Sequence, residues 1–371
     1  MKNIFSKNTY RTLNLIEIKK QALLDNYAYF QKIHPEAKIA PVLKSNAYGH
    51  GLRLVGKFAD TQIKPEFICV DSLFEAYELQ KARVKSKILI LGYTFPENFK
   101  YKKIDFCLPL FDLATLDCLK KYQPGIKVHL KIDTGMNRLG IKDYQYEQFA
   151  EALKNQNKVI LEGIYSHLCD APDKDFSKTQ IEKFKKAINF FENQGFEFKY
   201  KHLFATTGAL KYHDPEFNLI RLGLGFYGIA PDEAISQKNL TPALSLKSHL
   251  IEIKKINKGE EVGYDRTFKA KDKMILGLLP LGYYDGIDRK LSNKGYLMAN
   301  NAPCPIIGNV CMNITAIDLA QAKNPQIGTE IIVYSNCASD PNSLTNCAKI
   351  AKTIPYVLLA NLSETTRRVL I

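Results

Sequence analysis

The stretch Lys38-Ile39-Ala40-Pro41-Val42-Leu43-Lys44-Ser45-Asn46-Ala47-Tyr48-Gly49-His50-Gly51 runs from apolar residues to a lysine, then into a polar turn bearing glycine. An amphipathic segment follows. Lys38 to Leu43 reads as a short buried strand, so strand, turn and helix make one βα unit. The unit recurs outward from there. Short apolar runs lie at Lys38 to Leu43, Pro65 to Val70, Lys87 to Gly92, Asp105 to Leu110, Lys127 to Ile132, Leu161 to His167, Tyr200 to Ala205 and Leu219 to Gly223. Helix-period segments separate them. In Lys178 to Glu192, Phe184, Ile188 and Phe191 recur at helical spacing. A first helix is expected over Lys20 to Ile33. Eight alternations suggest a closed parallel (β/α)8 barrel of TIM type, with a doubly wound open sheet as the competing architecture.

Past Asp232 the texture changes. Runs at Leu246 to Ile256, Lys273 to Leu279 and Glu330 to Tyr334 are divided by Gly, Asn, Pro and Lys turns. Helical periodicity is scarce until Ser343 to Ile354. This predicts a mostly antiparallel β domain. The fold class is therefore α/β: a barrel over 11–233, then a β-rich domain over 234–371.

The chain has 371 residues, 46% hydrophobic and 24% charged, which suits about two globular domains. Its first twenty residues are polar and lysine-rich, and no apolar stretch reaches the length of a membrane span. A cytoplasmic location and no membrane partner are expected. The eight cysteines form no CxxC pair, and several lie in apolar runs, so they read as reduced, mostly buried thiols. The net charge of +14 is spread over the whole length. It shows no basic repeat interleaved with aromatics, so a solvated lysine-rich surface is preferred to nucleic-acid binding.

A lysine at a strand mouth has a low-dielectric wall on one side. Burial there disfavours the ammonium and frees a nucleophilic amine, which is what a Schiff-base lysine needs. In barrels the chemistry gathers at the C-terminal ends of strands. Lys44, Lys131, Asp133, His167, Thr206 and Arg221 all lie at or just past such ends. One decoy is Gly223-Leu224-Gly225-Phe226-Tyr227-Gly228, which matches GxGxxG. Ala230-Pro231-Asp232 interrupts the helix a dinucleotide site requires, so NAD is rejected. Among the seven histidines no HExxH occurs, and no metal is expected.

The segment around Lys44 resembles the cofactor-lysine segment of alanine racemases, which use pyridoxal 5′-phosphate (PLP). The resemblance continues through His129-Leu130-Lys131-Ile132-Asp133-Thr134-Gly135-Met136-Asn137-Arg138-Leu139-Gly140, Gly163 to His167 and Ile220 to Gly228. It goes on in Val262-Gly263-Tyr264, Gly282-Tyr283-Tyr284-Asp285-Gly286, Cys311-Met312 and Thr353-Ile354-Pro355-Tyr356. These islands stand in family order along nearly the whole chain.

The resemblance implies a homodimer with active sites shared between subunits, exchanging L- and D-alanine by a two-base mechanism and supplying D-alanine for peptidoglycan. Lys44 would hold PLP and serve the D-face; Tyr264, from the opposite subunit, would serve the L-face with His167 as its partner. Arg221 would face the pyridine nitrogen. Such a donor-only cation disfavours a protonated ring. Arg138 would contact the PLP phenolic oxygen and the substrate carboxylate, held by Lys131 if that lysine is carbamylated. Tyr48, Thr206, Gly223, Leu224 and Tyr356 match the phosphate cradle, with Thr207 an alternative to Thr206. Tyr283 and the backbone at Met312 match the substrate pocket. The N-terminal arm, residues 1–10, would pack with the β domain.

Three positions depart from the family pattern. Asn309 stands where arginine is usual, Asn313 where aspartate is, and Ala205 where asparagine is. The rival readings are a broad-spectrum or serine-preferring racemase, a non-catalytic PLP-binding carrier, and a barrel decarboxylase for basic amino acids. The carrier lacks a second domain, and the decarboxylases place a carboxylate where Arg221 stands.

Overall fold

The computed structural model describes residues 12–230 and 239–371. The expected arm 1–10 and the expected boundary at 233/234 lie outside the described residues. Two compact units emerge. Among the described residues, one comprises 12–23, Tyr48–Leu54 and Thr241–Ile371; the other comprises Leu24–Ala47 and 55–230 with 239–240.

The second unit holds eight parallel strands: β2 (Lys38–Pro41), β3 (Phe67–Val70), β4 (Lys87–Ile90), β5 (Leu108–Leu110), β6 (Ile126–Lys131), β7 (Val159–Tyr165), β8 (Tyr200–His202) and β9 (Leu219–Leu222). Ladders join β3 to β4 and run from β5 through β8; β2 pairs with β9. Single parallel bridges close the remaining gaps: Val42 to Cys69, Leu89 to Cys107, and Ala205 to Arg221. Every strand therefore has two neighbours and the sheet has no edge, so the open-sheet alternative is excluded. Strand burial is nearly continuous, as in Phe67-Ile68-Cys69-Val70, because helices cover the outside and side chains fill the inside. The helix Lys174–Asn193 buries Phe184, Ala187, Ile188 and Phe191 along one stripe, and Asp173 caps it by accepting from Phe176 N–H.

The first unit is built on β1 (Leu15–Ile18), β10 (Leu244–His249), β11 (Glu252–Ile256), β12 (Glu261–Val262), β13 (Phe268–Lys269), β14 (Met274–Leu279), β15 (Tyr296–Ala299), β16 (Ala302–Pro305), β17 (Thr315–Asp318), β18 (Glu330–Tyr334) and β19 (Arg367–Leu370). Its main sheet has the order β16-β15-β18-β10-β1-β19, antiparallel except where β1 meets β19. β1 is not among the expected runs; four residues are too few to show a period. Leu246 to Ile256 reads as one run but is two strands in different sheets. The switch comes at Leu250 and Ile251, whose N–H groups bond Thr329 and Leu278 respectively. Ser343 to Ile354 likewise resolves into a shorter helix, Leu344–Ile350, with a second helix at Pro355–Ala360.

The cysteines are all free, as expected, but only Cys69, Cys107, Cys304 and Cys347 are buried. Cys169 and Cys337 sit in exposed turns. No helix among the described residues is long and apolar enough to cross a membrane.

Candidate active site

Lys44 follows β2 by three residues and opens an unusual turn. Ser45, Asn46, Ala47 and Tyr48 all have φ between 49° and 55°. Four consecutive non-glycine residues in the left-handed region cost about 1–2 kcal/mol each. Strain of this kind persists only where the surroundings impose it, and it gathers at functional sites. Glu75 does part of the imposing. Its carboxylate accepts from Ser45 N–H at 2.6 Å and from Asp71 N–H at 2.8 Å, tying the turn after β2 to the one after β3. The Lys44 ammonium has neither a hydrogen-bond nor an ion-pair partner among the described residues.

Arg221, on β9, is 4% exposed. Its Nη1 donates to His202 O and meets His202 Nδ1 at 2.8 Å. Its Nη2 donates to the carbonyls of Ser166 and Leu203 and meets His167 Nδ1 at 3.1 Å. A guanidinium can only donate. His167 Nδ1 therefore accepts, and the neutral ring carries its proton at Nε2. Burial, then the charges of Arg221, Arg138, Lys131 and Lys44, pull the His167 pKa to about 3, so the ring is neutral at any working pH.

Lys131 ends β6 and is 7% exposed. Burial lowers its pKa to about 8, helped by the charges of Arg221, Arg138 and Lys44 and opposed by that of Asp71. Much of this lysine is neutral near pH 8, and the neutral amine is the form that can take up carbon dioxide. The sign for stability follows. The unfolded chain binds a proton here between about pH 8 and 10.5 that the folded chain has released. Stability therefore rises with pH through that window, and the penalty is fully present below it. Urea unfolding in carbonate-free buffer should show this rise, and Lys131→Gln should flatten it.

Arg138 is exposed and has no ion-pair partner among the described residues, although its charge reaches Lys131, Tyr165 and His167. Lys44, Lys131, Arg138 and Arg221 thus share one end of the barrel with little acid to balance them. Such a mouth suits an anion. The backbone offers a place for it. Gly223 and Leu224 are buried, and their N–H groups make no hydrogen bond among the described residues. Thr206 Oγ1 accepts from Gly225 N–H at 3.1 Å, which leaves its own proton to donate outward. Thr206 is buried and Thr207 only half-buried. Ala205, at the cap position of the helix Thr206–Lys211, provides no side-chain cap. This is where an asparagine was expected.

Tyr48, Tyr264, Tyr283, Met312 and Tyr356 belong to the first unit. The rings of Tyr48 and Tyr356 lie 5.9 Å apart. Tyr264 is 73% exposed, on a turn whose Gly263, Asp265 and Arg266 all have positive φ. Asn309 holds that turn, donating to Tyr264 O at 3.1 Å and to Asp265 Oδ2 at 3.0 Å. Tyr283 and Tyr284 donate their N–H groups to Cys311 O and Met312 O. Asn313 donates to Asp285 Oδ2 at 3.2 Å, where an aspartate would face a like charge. Two of the three departures are thus local hydrogen bonds. Gly282 permits the approach of the two segments, since a Cβ there would fall 1.9 Å from Cys311 O. Gly282→Ala should cost about 1–3 kcal/mol, read as a lower denaturant midpoint at unchanged slope.

Two matching family models cover almost the whole chain. One, described as alanine racemase, N-terminal domain, matches residues 18–231; the other, alanine racemase, C-terminal domain, matches 243–370. The chain belongs to the alanine racemase family. It is an amino-acid racemase, an isomerase. Among relatives in this family, the alanine racemase of Carboxydothermus hydrogenoformans is 32% identical, covering 95% of this chain and 98% of that one. Alanine racemase 1 of Caldanaerobacter subterraneus subsp. tengcongensis is 31% identical, covering 95% and 94%. The crystal structure of the Bacillus anthracis alanine racemase with bound L-Ala-P is 26% identical, with a TM-score of 0.87 over 98% of this chain and 96% of that one. The E. faecalis enzyme gives the same TM-score at 28% identity, over 97% and 98%. Sequence reasoning within the family frame passed over His202, which holds Arg221. Its inward place on β8, two residues after the inward Tyr200, was the available signal.

Proposed function

We propose that this chain interconverts L- and D-alanine with PLP bound through Lys44, and that two copies of the chain complete each site. The unbalanced positive charge around Lys44, Lys131, Arg138 and Arg221, beside the unbonded N–H groups of Gly223 and Leu224, carries this reading. It matches a phosphorylated aldehyde cofactor better than a neutral ligand. Bound there, PLP supplies an electron-withdrawing ring that acidifies the amino acid's Cα–H.

The protein's own groups have separable tasks. Thr206, Gly223 and Leu224 would hold the phosphate; Tyr48 and Tyr356 are assigned to it by the family resemblance. Arg221 donates toward the ring nitrogen from a guanidinium already fixed by three carbonyls. Arg138 orients the substrate carboxylate, and a carbamate on Lys131 would anchor Arg138 by reversing the sign of its neighbour. The Lys44 amine takes or returns the proton on the D-face. The Tyr264 phenol of a second copy does so on the L-face, with His167 Nε2–H available as its donor. The exposed Tyr264 ring, together with exposed Tyr283, Tyr284 and Met312, is apolar surface of the kind an obligate partner covers. The resemblance assigns Tyr283 and the backbone at Met312 to the substrate pocket. The product would serve peptidoglycan assembly in the cytoplasm. L-Ala-P bound by the Bacillus anthracis relative supports alanine as substrate.

Borohydride reduction of the loaded protein, followed by peptide mapping, tests the reading: the label should fall on Lys44. Turnover of alanine should exceed that of serine, lysine and arginine, and preferential serine turnover would transfer the assignment to the rival racemase.

A further inference from the structure

His129 and Glu162 are buried in the barrel wall and have no part in the chemistry above. The hydrogen bonds around them have a forced direction. Arg221 Nη1 donates to His202 Nδ1 at 2.8 Å, so that nitrogen must accept. Burial, with the charges of Arg221 and His129, keeps the His202 ring neutral, and its single proton sits at Nε2. Nε2 lies 2.8 Å from His129 Nδ1. His129 Nδ1 therefore accepts in turn, and the His129 proton sits at Nε2. That atom is buried without a hydrogen-bond partner among the described residues, and the Glu162 carboxylate lies 3.7 Å away, close enough to act on it by charge. The donor-only cation at one end imposes the order of protons, and the anion at the other end favours the same order by charge. The packing makes room for this order: Gly163 pairs with His129 across β6 and β7, and a Cβ there would lie 2.7 Å from His129 Nδ1. Lys127 fixes the far end, donating to Glu162 Oε1 at 2.9 Å.

We propose that His202 and His129 form a one-directional hydrogen-bond relay that positions Arg221, and that the buried Glu162 carboxylate beyond it acts by charge, through the two imidazoles, on the arginine that faces the cofactor ring. The role toward the cofactor rests on the function proposed above; the order of protons does not. The three are positioning residues. A competing use of the same atoms is a cation site. Cys107 Sγ, a His129 ring nitrogen and a Glu162 oxygen lie within 4.8 Å of one another, a spacing that three zinc ligands could adopt. The relay opposes it, because the proton that Arg221 imposes on His129 Nε2 occupies the lone pair a metal requires. Burial, then the Glu162 charge, also holds the Cys107 thiol up, in its protonated form.

Nitrogen-15 spectra of histidine-labelled protein, with and without PLP, test the relay directly. Both His129 and His202 should show an unprotonated Nδ1 and a protonated Nε2, with or without cofactor. A protonated Nδ1 on either ring overturns it, as does loss of the His129 Nε2 proton on adding zinc with appearance of zinc–thiolate absorption. Glu162→Gln keeps an acceptor but removes the charge. The tautomers should persist, while kcat falls about tenfold, at the low end of outer-partner effects, with KM unchanged and the bound-cofactor absorption shifted. A folded Glu162→Gln with wild-type kcat and absorption overturns the coupling to Arg221. Gly163→Ala should reproduce the kinetic loss by displacing His129, and wild-type kinetics in a folded Gly163→Ala would count equally against it. Failure of borohydride to label Lys44 would sink the proposed function while leaving the tautomer result standing.

Discussion

Tyr264→Phe should lower racemisation about 10²–10⁴-fold, the span of a lost general acid–base group, while PLP stays bound and the protein stays folded. The phenol is 73% exposed, and its turn is held through backbone oxygen by Asn309 rather than through the ring. Removing the hydroxyl therefore deletes chemistry without deleting packing. The deficit should be one-sided. Exchange of the α-hydrogen of D-alanine with solvent needs only the Lys44 face and should persist. Exchange from L-alanine should collapse with racemisation. Equal collapse from both enantiomers would strip Tyr264 of its assigned face, and no collapse would remove it from the reaction. A subunit-mixing experiment adds a check on the shared site: inactive Lys44→Ala and Tyr264→Phe chains, refolded together, should regain part of the activity.

The barrel was legible because its strands are buried on both faces and so read as unbroken apolar runs between helical periods. All eight runs became strands; six are one to three residues shorter, and those expected from Lys127 and Leu161 keep their length but begin one and two residues earlier. The β domain was harder. A strand of four residues such as Leu15–Ile18 carries no readable period, and Leu246 to Ile256 hides a change of hydrogen-bond partner that hydropathy cannot register. At the site, residue types were visible but relations were not. Nothing in the chain order announces that Arg221 on β9 grips His167, His202 and the carbonyl of Ser166 at once. The departures at Asn309 and Asn313 looked like losses until each amide was seen donating to an aspartate.

Lys44→Ala should abolish covalent capture of PLP and lower activity about 10⁴-fold or more, since one residue is both the attachment point and a proton-transfer group. The loss should not come from unfolding. The left-handed turn from Ser45 to Tyr48 is imposed by its backbone, by Glu75 and by the burial of Ala47 and Tyr48. None of these depends on the Lys44 side chain. The ammonium has no partner among the described residues and adds to the positive charge that depresses Lys131. Its removal should raise the Lys131 pKa and leave the thermal midpoint of the cofactor-free protein no lower than wild type. PLP should still bind reversibly through Thr206, Gly223 and Leu224, detected by equilibrium dialysis, yet borohydride should fix none of it. A variant that still traps the cofactor would move the attachment to another amine, with Lys131, neutral near pH 8 and at the same end of the barrel, the first to map.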